Sequence, residues 1–324
     1  MGCARARQIG IKKNNFLMRV GAIDIGTNTI LLLVADIRPD GTLFTVRDEH
    51  AIARLGKGVD SRHMILPETF ERAVEFLQPY QSVMNAERVD VVIVCGTSFL
   101  RDAQNKNEFI EFVQQKLGLQ IRVLSGDEEG DLTYLGGISE FRTPAQKSDF
   151  AVLDIGGGST ELTVGTDSTV SHRVSFDIGS VRLTERFLKT SPPVSGGLES
   201  AREYIRTHLQ RLAHLPASAR LIGVAGTLTT LAAMELNLKH YDRNAVSGHV
   251  LTGATVHKVF KELSTKNLDE IKTYPQILPA RADILLAGIL ILREILDTLE
   301  REEITVSDRG LRFGMAIKAA IQKH

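Results

Sequence analysis

The chain has 324 residues and a formal net charge of zero, because 39 lysine and arginine residues balance 39 aspartate and glutamate residues. This length allows two domains with buried cores, and a neutral chain lacks the basic field typical of nucleic-acid binding, so no nucleic-acid partner is expected. The two cysteines, Cys3 and Cys95, are too few for a disulfide scaffold, which favours a reducing cytoplasm over secretion.

The chain begins with a basic segment that is not expected to fold. Residues 1–17 contain no acidic side chain and lack the apolar stretch of a secretory signal. Because Met18 directly precedes the first predicted strand, residues 1–18 are interpreted as a disordered leader.

Two glycine-rich segments of the chain are versions of each other. Residues 22–34 read AIDIGTNTILLLV and residues 152–164 read VLDIGGGSTELTV; aligned on Asp24 and Asp154, both continue with isoleucine, glycine and a later hydroxyl residue. Each segment predicts a buried strand, a tight turn and an antiparallel return strand. Since glycines let the backbone approach a ligand and successive amides form an anion site, the pair predicts two related halves that hold one phosphate-bearing ligand.

Predicted strands and helices alternate along the rest of the chain. Before the second glycine-rich turn, the pattern predicts strands at 43–53, 89–94 and 121–124, helices at 66–84, 99–117 and 131–139, and a polar connection between domains at 143–149. After it, the pattern predicts strands at 172–177, 220–225 and 303–306, a turn at 178–182, and helices at 198–212, 226–236 and 310–322. This alternation predicts an α/β fold.

The longest apolar run of the chain, residues 284–292, bears on membrane insertion. It is about half as long as a membrane-spanning helix must be, so it predicts a core helix. No membrane partner is therefore expected.

Acidic side chains near the predicted turns carry the candidate chemistry. Asp24 and Asp154 each end a strand at a phosphate-binding turn, where a carboxylate usually holds Mg²⁺ directly or through water. The alternative is that each aspartate only caps its own turn, although the matched pair favours the metal site. Residues 125–131 (SGDEEGD) contain four acids, one of which could deprotonate a water that attacks phosphorus; alternatively, the cluster only complements a helix dipole.

Basic side chains leave similar alternatives open. Arg101 lies one helical turn after a predicted strand end, where it could bind a terminal phosphate or pair with a neighbour such as Asp102. The roles of Arg182 and of the Gly226 region, phosphate binding or a structural contact, are left open in the same way. The sequence has no HExxH, GxxxxGK[ST] or GxGxxG motif, which disfavours zinc and the two commonest nucleotide-binding folds.

Together these motifs resemble the exopolyphosphatase / guanosine pentaphosphate phosphohydrolase (Ppx/GppA) family of the actin-like ATPase superfamily. The resemblance covers about residues 20–320 and rests on AIDIGTNT, RLG, GTSFLRDA, SGDEEGDL, LDIGGGSTEL, IGSVRLTE, GVAGTLTTLAA, RAD and DRGLRFG. It implies two actin-like (ribonuclease H-like) α/β domains around a central cleft, formed by residues 19–127 plus 305–324 and by residues 128–304. It also implies the short, two-domain type of member, Mg²⁺ as cofactor with Mn²⁺ as the alternative, and a cytoplasmic homodimer.

The resemblance also implies roles for individual residues. Glu129 would be the catalytic base and Arg101 would bind the substrate near the cleaved bond. The implied metal ligands are Asp24, Asp154 and Glu161. The implied phosphate-binding residues are Asp24, Thr27, Asn28, Arg54, Gly156, Gly157, Gly158, Ser159 and Gly226. Two positions depart from the family pattern, because Thr29 replaces the usual serine and Leu31 replaces a side chain that is polar or basic in many relatives.

The implied function is hydrolysis of a phosphoanhydride. The substrate would be inorganic polyphosphate, which loses its terminal orthophosphate, and/or pppGpp, which loses its 5′-γ-phosphate to give ppGpp. The reaction would be metal-assisted attack by a water that Glu129 activates. The alternatives are a guanosine penta/tetraphosphate sensor with slow turnover and an actin-like ATPase or kinase. We also predict that Asp24 and Asp154 face one another across the cleft and that the C-terminal helix folds back onto the first domain.

Overall fold

The computed structural model describes residues 18–38, 42–142, 148–167, 169–212 and 215–322. The predicted leader, apart from Met18, and most of the predicted connection at 143–149 lie outside the described residues. Met18 is already the first residue of a strand, so the folded chain includes it.

The strands form two sheets that repeat one topology. They are β1 (Met18–Ile25), β2 (Ile30–Ile37), β3 (Leu43–Ala51), β4 (Val91–Gly96), β5 (Ile121–Val123), β6 (Asp149–Ile155), β7 (Thr160–Thr166), β8 (Thr169–Phe176), β9 (Arg220–Val224), β10 (Val250–Thr252) and β11 (Glu303–Val306). The first sheet has the order β3-β2-β1-β4-β5 and the second β8-β7-β6-β9-β11-β10. In the first sheet, β1 pairs antiparallel with β2 and parallel with β4. In the second sheet, β6 pairs in the same way with β7 and β9. The predicted internal repeat is therefore a repeat of structure.

Helices cover both sheets. Within the described residues they are α1 (Val59–Arg62), α2 (Pro67–Ala86), α3 (Ser98–Asp102), α4 (Lys106–Leu117), α5 (Gly126–Gly137), α6 (Ser180–Phe187), α7 (Ser195–Leu209), α8 (Ala225–Glu235), α9 (Arg243–Val246), α10 (Gly253–Leu263), α11 (Leu268–Lys272), α12 (Ala282–Thr298) and α13 (Leu311–Gln322). The apolar run predicted as a core helix forms most of α12, which is buried along nearly its whole length. No helix in the described ranges combines the length and apolar character that crossing a membrane requires.

The helix predicted at 99–117 and the turn predicted at 178–182 differ from the structure. The helix predicted at 99–117 is interrupted after α3, because the side chain of Asn105 exchanges two 2.9 Å hydrogen bonds with the backbone of Ile65. The predicted turn at 178–182 instead continues as the two-turn helix α6. Both corrections bear on the site, since α3 and α6 carry arginines discussed below.

Register places the two aspartates at equivalent points. Asp24 pairs with Leu31 across its hairpin and with Cys95 on β4, whereas Asp154 pairs with Glu161 and with Val224 on β9. Each aspartate is the penultimate residue of the central strand of its sheet. Each half of the chain therefore places one carboxylate near the carboxyl end of the central strand of its sheet.

The last helix returns to the first half. Leu311, Phe313 and Met315 of α13 pack against the face of β1 and β2 that carries Val20, Ala22 and Leu33. The prediction that the C-terminal helix folds back onto the first domain is confirmed. The predicted boundary at residue 305, however, falls inside β11, which pairs with β9 in the second sheet, so the crossover to the first half comes after Val306.

Helices α5 and α13 cross at a point of close backbone contact. A Cβ atom added to Gly314 of α13 would overlap the carbonyl oxygen of Leu132 on α5, and one added to Gly136 would overlap the carbonyl oxygen of Gly310. Only glycine permits this approach at Gly136 and Gly314. The crossing holds α5 between the second sheet and α13, and α5 carries Glu129.

Candidate active site

The two glycine-rich turns have the same internal geometry. The backbone N–H of Gly26 donates to the carbonyl of Thr29 at 2.9 Å, and that of Gly156 donates to the carbonyl of Ser159 at 3.0 Å. This equivalence confirms that the D-I-G segments form matching hairpin turns.

The turns pack directly against each other. A Cβ atom at Gly158 would lie 2.5 Å from Ser98 Oγ and 2.9 Å from Thr27 Oγ1, which are themselves hydrogen-bonded at 2.9 Å. A Cβ atom at Gly157 would lie 3.0 Å from the Cβ of Thr27. The three consecutive glycines therefore allow the two halves to pack closely. They also leave room for a ligand to approach the backbone.

The acidic segment after β5 is the first turn of α5, so the helix starts at Gly126 and not at the predicted residue 131. Ser125 is its N-cap: the Ser125 hydroxyl accepts from the N–H of Glu128, and the Glu128 carboxylate accepts from the N–H of Ser125. Glu128 thus lies at the surface, where it also pairs with Arg122. Glu129, about 100° further round the helix, is buried.

Arg101 joins the carboxylate of Glu129 to the second turn. Its Nη1 donates to Glu129 Oε2 at 2.5 Å and to the carbonyl of Leu124 at 3.0 Å. Its Nη2 donates to Ser159 Oγ at 3.3 Å and lies 3.9 Å from Glu161 Oε1. The alternative pairing of Arg101 with Asp102 is not found, since Asp102 binds Arg182. The predicted catalytic residues Glu129 and Arg101 are therefore brought together.

Four carboxylates from both halves interact electrostatically: those of Glu129 and Glu161 are buried, and those of Asp24 and Asp154 are half-buried. Burial, followed by the charges of Glu129 and Asp154, raises the pKa of Asp24 to about 8. Burial and the charge of Glu129 raise the pKa of Asp154 to about 7, and burial likewise raises the pKa of Glu161 well above its usual range. Burial also raises the pKa of Glu129, although Arg101 opposes the shift. Asp24 and Asp154 line the same cavity, as expected of aspartates that face one another across a cleft.

The donor chemistry of this cluster suits a hard divalent cation. Among the residues that the structure describes, Asp24 Oδ1 and Glu161 Oε2 are buried without a hydrogen-bond partner, and both are carboxylate oxygens of the kind that Mg²⁺ binds. In the described part of the chain, no three His, Cys, Asp or Glu side chains form a ready-made metal site. The arrangement therefore fits an ion that takes few protein ligands and completes its shell with water and substrate oxygens.

A cavity of about 750 Å³ extends from the two turns. It is lined by nine of the predicted site residues: Asp24, Thr27, Asn28, Glu129, Asp154, Gly156, Gly157, Ser159 and Gly226. Four others lie elsewhere. Gly158 is in the contact between the turns, and Arg101 and Glu161 lie behind the lining. Arg54 lines a second cavity of about 480 Å³, where its guanidinium donates at 2.7 Å to Asp283 Oδ1 and to the carbonyl of Ala280.

The structure adds arginines that the sequence analysis did not assign. Arg281 lines the main cavity, and a Cβ atom on Gly226 would overlap its guanidinium, so Gly226 makes room for a cation. Nη2 of Arg281 lies 3.5 Å from Thr29 Oγ1, and burial lowers the pKa of Arg281. Arg243 and Arg312 line the same cavity and pair with acids. Arg281 lies in the RAD motif and Arg312 in the DRGLRFG motif. A motif alone does not predict the direction in which its arginine side chain points.

Comparison with known proteins gives one consistent family. Residues 33–322 match the model of the Ppx/GppA phosphatase family. The chain is 33% identical to exopolyphosphatase 2 of Mycobacterium tuberculosis, over 94% of this chain and 99% of that protein. It is 28% identical to the guanosine-5′-triphosphate,3′-diphosphate pyrophosphatase of Vibrio atlanticus, over 91% of this chain and 58% of that protein.

Solved structures agree with the sequence relatives. The crystal structure of the Aquifex aeolicus member of the Ppx/GppA family has a TM-score of 0.80 and 32% identity, and the match covers 95% of this chain and 99% of that one. The predicted fold, two actin-like α/β domains around a cleft, is confirmed. By its sequence, its repeated sheets and its paired turns, the chain belongs to the Ppx/GppA phosphatase family.

Proposed function

We propose that this protein hydrolyses terminal phosphoanhydride bonds, releasing orthophosphate from inorganic polyphosphate and/or the 5′-γ-phosphate of pppGpp. The observation that carries the proposal is the buried carboxylate of Glu129, which contacts Arg101 and lines the cavity that extends from the two glycine-rich turns. We propose these turns, residues 26–29 and 156–159, as the first and second phosphate turns. The names of the relatives support both substrates, since one is an exopolyphosphatase and another acts on guanosine triphosphate diphosphate.

The proposed chemistry assigns distinct work to Glu129 and Arg101. Glu129 takes a proton from a water whose oxygen attacks the terminal phosphorus, while the bridging oxygen leaves with the shortened chain. Arg101 can exchange part of its contact with Glu129 for a terminal phosphate oxygen, because its second nitrogen already reaches Ser159 on the phosphate turn. The amides of the two turns orient the transferred phosphate.

We propose Mg²⁺ as cofactor, with Mn²⁺ as an alternative, held by Asp24 and Asp154 with Glu161 behind them. When bound, the ion would neutralise phosphate charge as it develops. The unpartnered buried oxygens of Asp24 and Glu161 support this assignment. The protein's own contribution is to bring carboxylates from both halves to one end of the cavity.

A single assay tests the function against its alternatives. Orthophosphate release is measured for polyphosphate, pppGpp and ATP under identical conditions with Mg²⁺ present. Turnover of polyphosphate or pppGpp well above that of ATP supports the proposal. Negligible release from pppGpp, together with tight pppGpp binding measured separately, indicates a sensor, whereas preferential ATP turnover indicates an actin-like ATPase or kinase.

The charges of the cavity predict how binding responds to salt. The lining is mixed rather than uniformly basic, but within the described residues Lys239 and Arg281 have no carboxylate within ion-pair distance. If a polyanion neutralises these two cations, its affinity should fall roughly 7- to 12-fold between 50 and 200 mM salt at constant Mg²⁺, through counterion release. Titration of polyphosphate at several ionic strengths measures the slope, and a flat response would favour a small nucleotide as the substrate.

A cytoplasmic homodimer also belongs to this proposal. The low cysteine content supports a reducing compartment, and the family resemblance supports the dimer. Sedimentation of the purified chain at several concentrations tests the dimer.

A further inference from the structure

Arg182 occupies the contact between the two halves directly beneath the second phosphate turn. It lies on α6 of the second half and is 7% exposed. Its Nε donates to the carbonyl of Gly158 at 2.8 Å. Its two terminal nitrogens bind carboxylates of the first half, Asp60 on α1 and Asp102 on α3. All three edges of the guanidinium are therefore occupied.

The bond to Gly158 determines the orientation of one peptide unit. In a planar trans peptide the C=O and N–H groups point in opposite directions. When Arg182 holds the Gly158 carbonyl on one side, the N–H of Ser159 in the same peptide unit is turned to the other side. Ser159 lines the main cavity, whereas Gly158 and Arg182 line a small gap behind the turn. The anchored peptide therefore directs a donor toward the phosphate site.

The carboxylate partners tie this orientation to the first half. Asp102 follows Arg101 at the end of α3, and Ser98 at the start of α3 is hydrogen-bonded to Thr27 of the first phosphate turn. A displacement of α3 would therefore shift Arg101 and the first turn. Through Arg182 it would also shift the second turn.

We propose that Arg182 is a positioning residue for phosphoryl transfer: it fixes the Gly158–Ser159 peptide so that the second turn presents its amide in register with the first turn and with Arg101. It touches no substrate atom in this role. The inference rests on the proposed hydrolase function, and it predicts a loss in turnover larger than the loss in binding.

The test replaces Arg182 and uses a neighbour as matched control. Arg182→Lys keeps a positive charge near Asp60 and Asp102 but lacks the three-edged guanidinium. Arg186→Gln removes a second arginine of α6 that binds Asp60 at 2.6 and 2.7 Å but makes no bond to the turn. Steady-state phosphate release from polyphosphate and pppGpp gives kcat and KM, and a thermal melt checks that each variant is folded.

The expected result is a roughly 10- to 100-fold fall in kcat for Arg182→Lys, as for sub-ångström to one-ångström misplacement of a reacting group, with KM within about threefold of the wild type. Arg186→Gln should keep kcat within about threefold. Equal losses in both variants would overturn the proposal, because Arg182 would then be only one member of the ion-pair contact. Near-normal kcat in a folded Arg182→Lys variant would overturn it as well.

A second variant covers the case in which Arg182→Lys does not fold. Asp102→Asn removes the negative charge that holds one edge of the guanidinium but leaves Arg182 itself in place, and should lower kcat about 3- to 10-fold with KM unchanged. An unchanged kcat in Asp102→Asn would then refute the positioning role. A wild-type protein that releases no phosphate from either substrate would instead refute the proposed function, so the two failures are distinguishable.

Discussion

Replacing Glu129 with glutamine should lower kcat by roughly 10²- to 10⁴-fold, the usual contribution of a positioned general base. Glutamine keeps the size and polarity of the side chain but cannot take a proton from water at neutral pH. Substrate affinity should persist or increase, because one negative charge beside an anionic chain is removed and Arg101 loses its ion-pair partner. Single-turnover phosphate release, with substrate binding measured separately, distinguishes the two effects.

Glu128→Gln is the matched control for this experiment. Glu128 is the adjacent residue on the same helix, but its carboxylate serves the N-cap at the surface and pairs with Arg122. Losing part of a cap and an exposed ion pair should cost about 1 kcal/mol of stability and leave kcat nearly unchanged. Equal losses of kcat at the two positions, or normal turnover in Glu129→Gln, would mean that the base is another group.

Replacing Gly314 with alanine should destabilise the protein by about 3 kcal/mol and reduce activity as well. The new methyl group would overlap a backbone carbonyl of α5, which cannot move like a side chain, so the two helices must separate. Because α5 carries Glu129, the separation should displace the carboxylate from Arg101 and from the turn. Urea unfolding measures the loss of stability, and kcat under fully folded conditions measures the displacement.

Gly310→Ala separates the effect of packing from the effect of losing a glycine. Gly310 lies one turn before Gly314, yet a Cβ atom there would contact no other described residue within 4 Å. Its replacement should therefore change the unfolding free energy by less than about 1 kcal/mol. A comparable loss at both positions would show that the helix crossing is not the cause.

The sequence was informative where structure depends on local pattern. The two D-I-G hairpins were predictable because strand periodicity, small turn residues and the shared aspartate all lie within 13 neighbouring positions. Helix α5 could have been placed correctly too, since Ser125 and Glu128 form a capping box that the sequence displays. That placement would have separated buried Glu129 from exposed Glu128 by helix phase alone.

Features that depend on distant partners could not be predicted in this way. The interruption between α3 and α4 requires Asn105 to meet Ile65 across the fold. The position of Arg281 against Gly226 likewise joins segments that are far apart in sequence. Composition and periodicity constrain neither contact, because both arise only when the tertiary fold brings the segments together.

The return of α13 to the first sheet has a consequence for how the chain is synthesised. β1 and β2 emerge first from the ribosome, but the helix that covers one of their faces is made only after the whole second sheet. At about 5–20 residues per second, that face waits for tens of seconds with Val20, Ala22 and Leu33 uncovered. The first half therefore cannot complete its fold ahead of the second, and its apolar face stays exposed on the nascent chain until α13 is made.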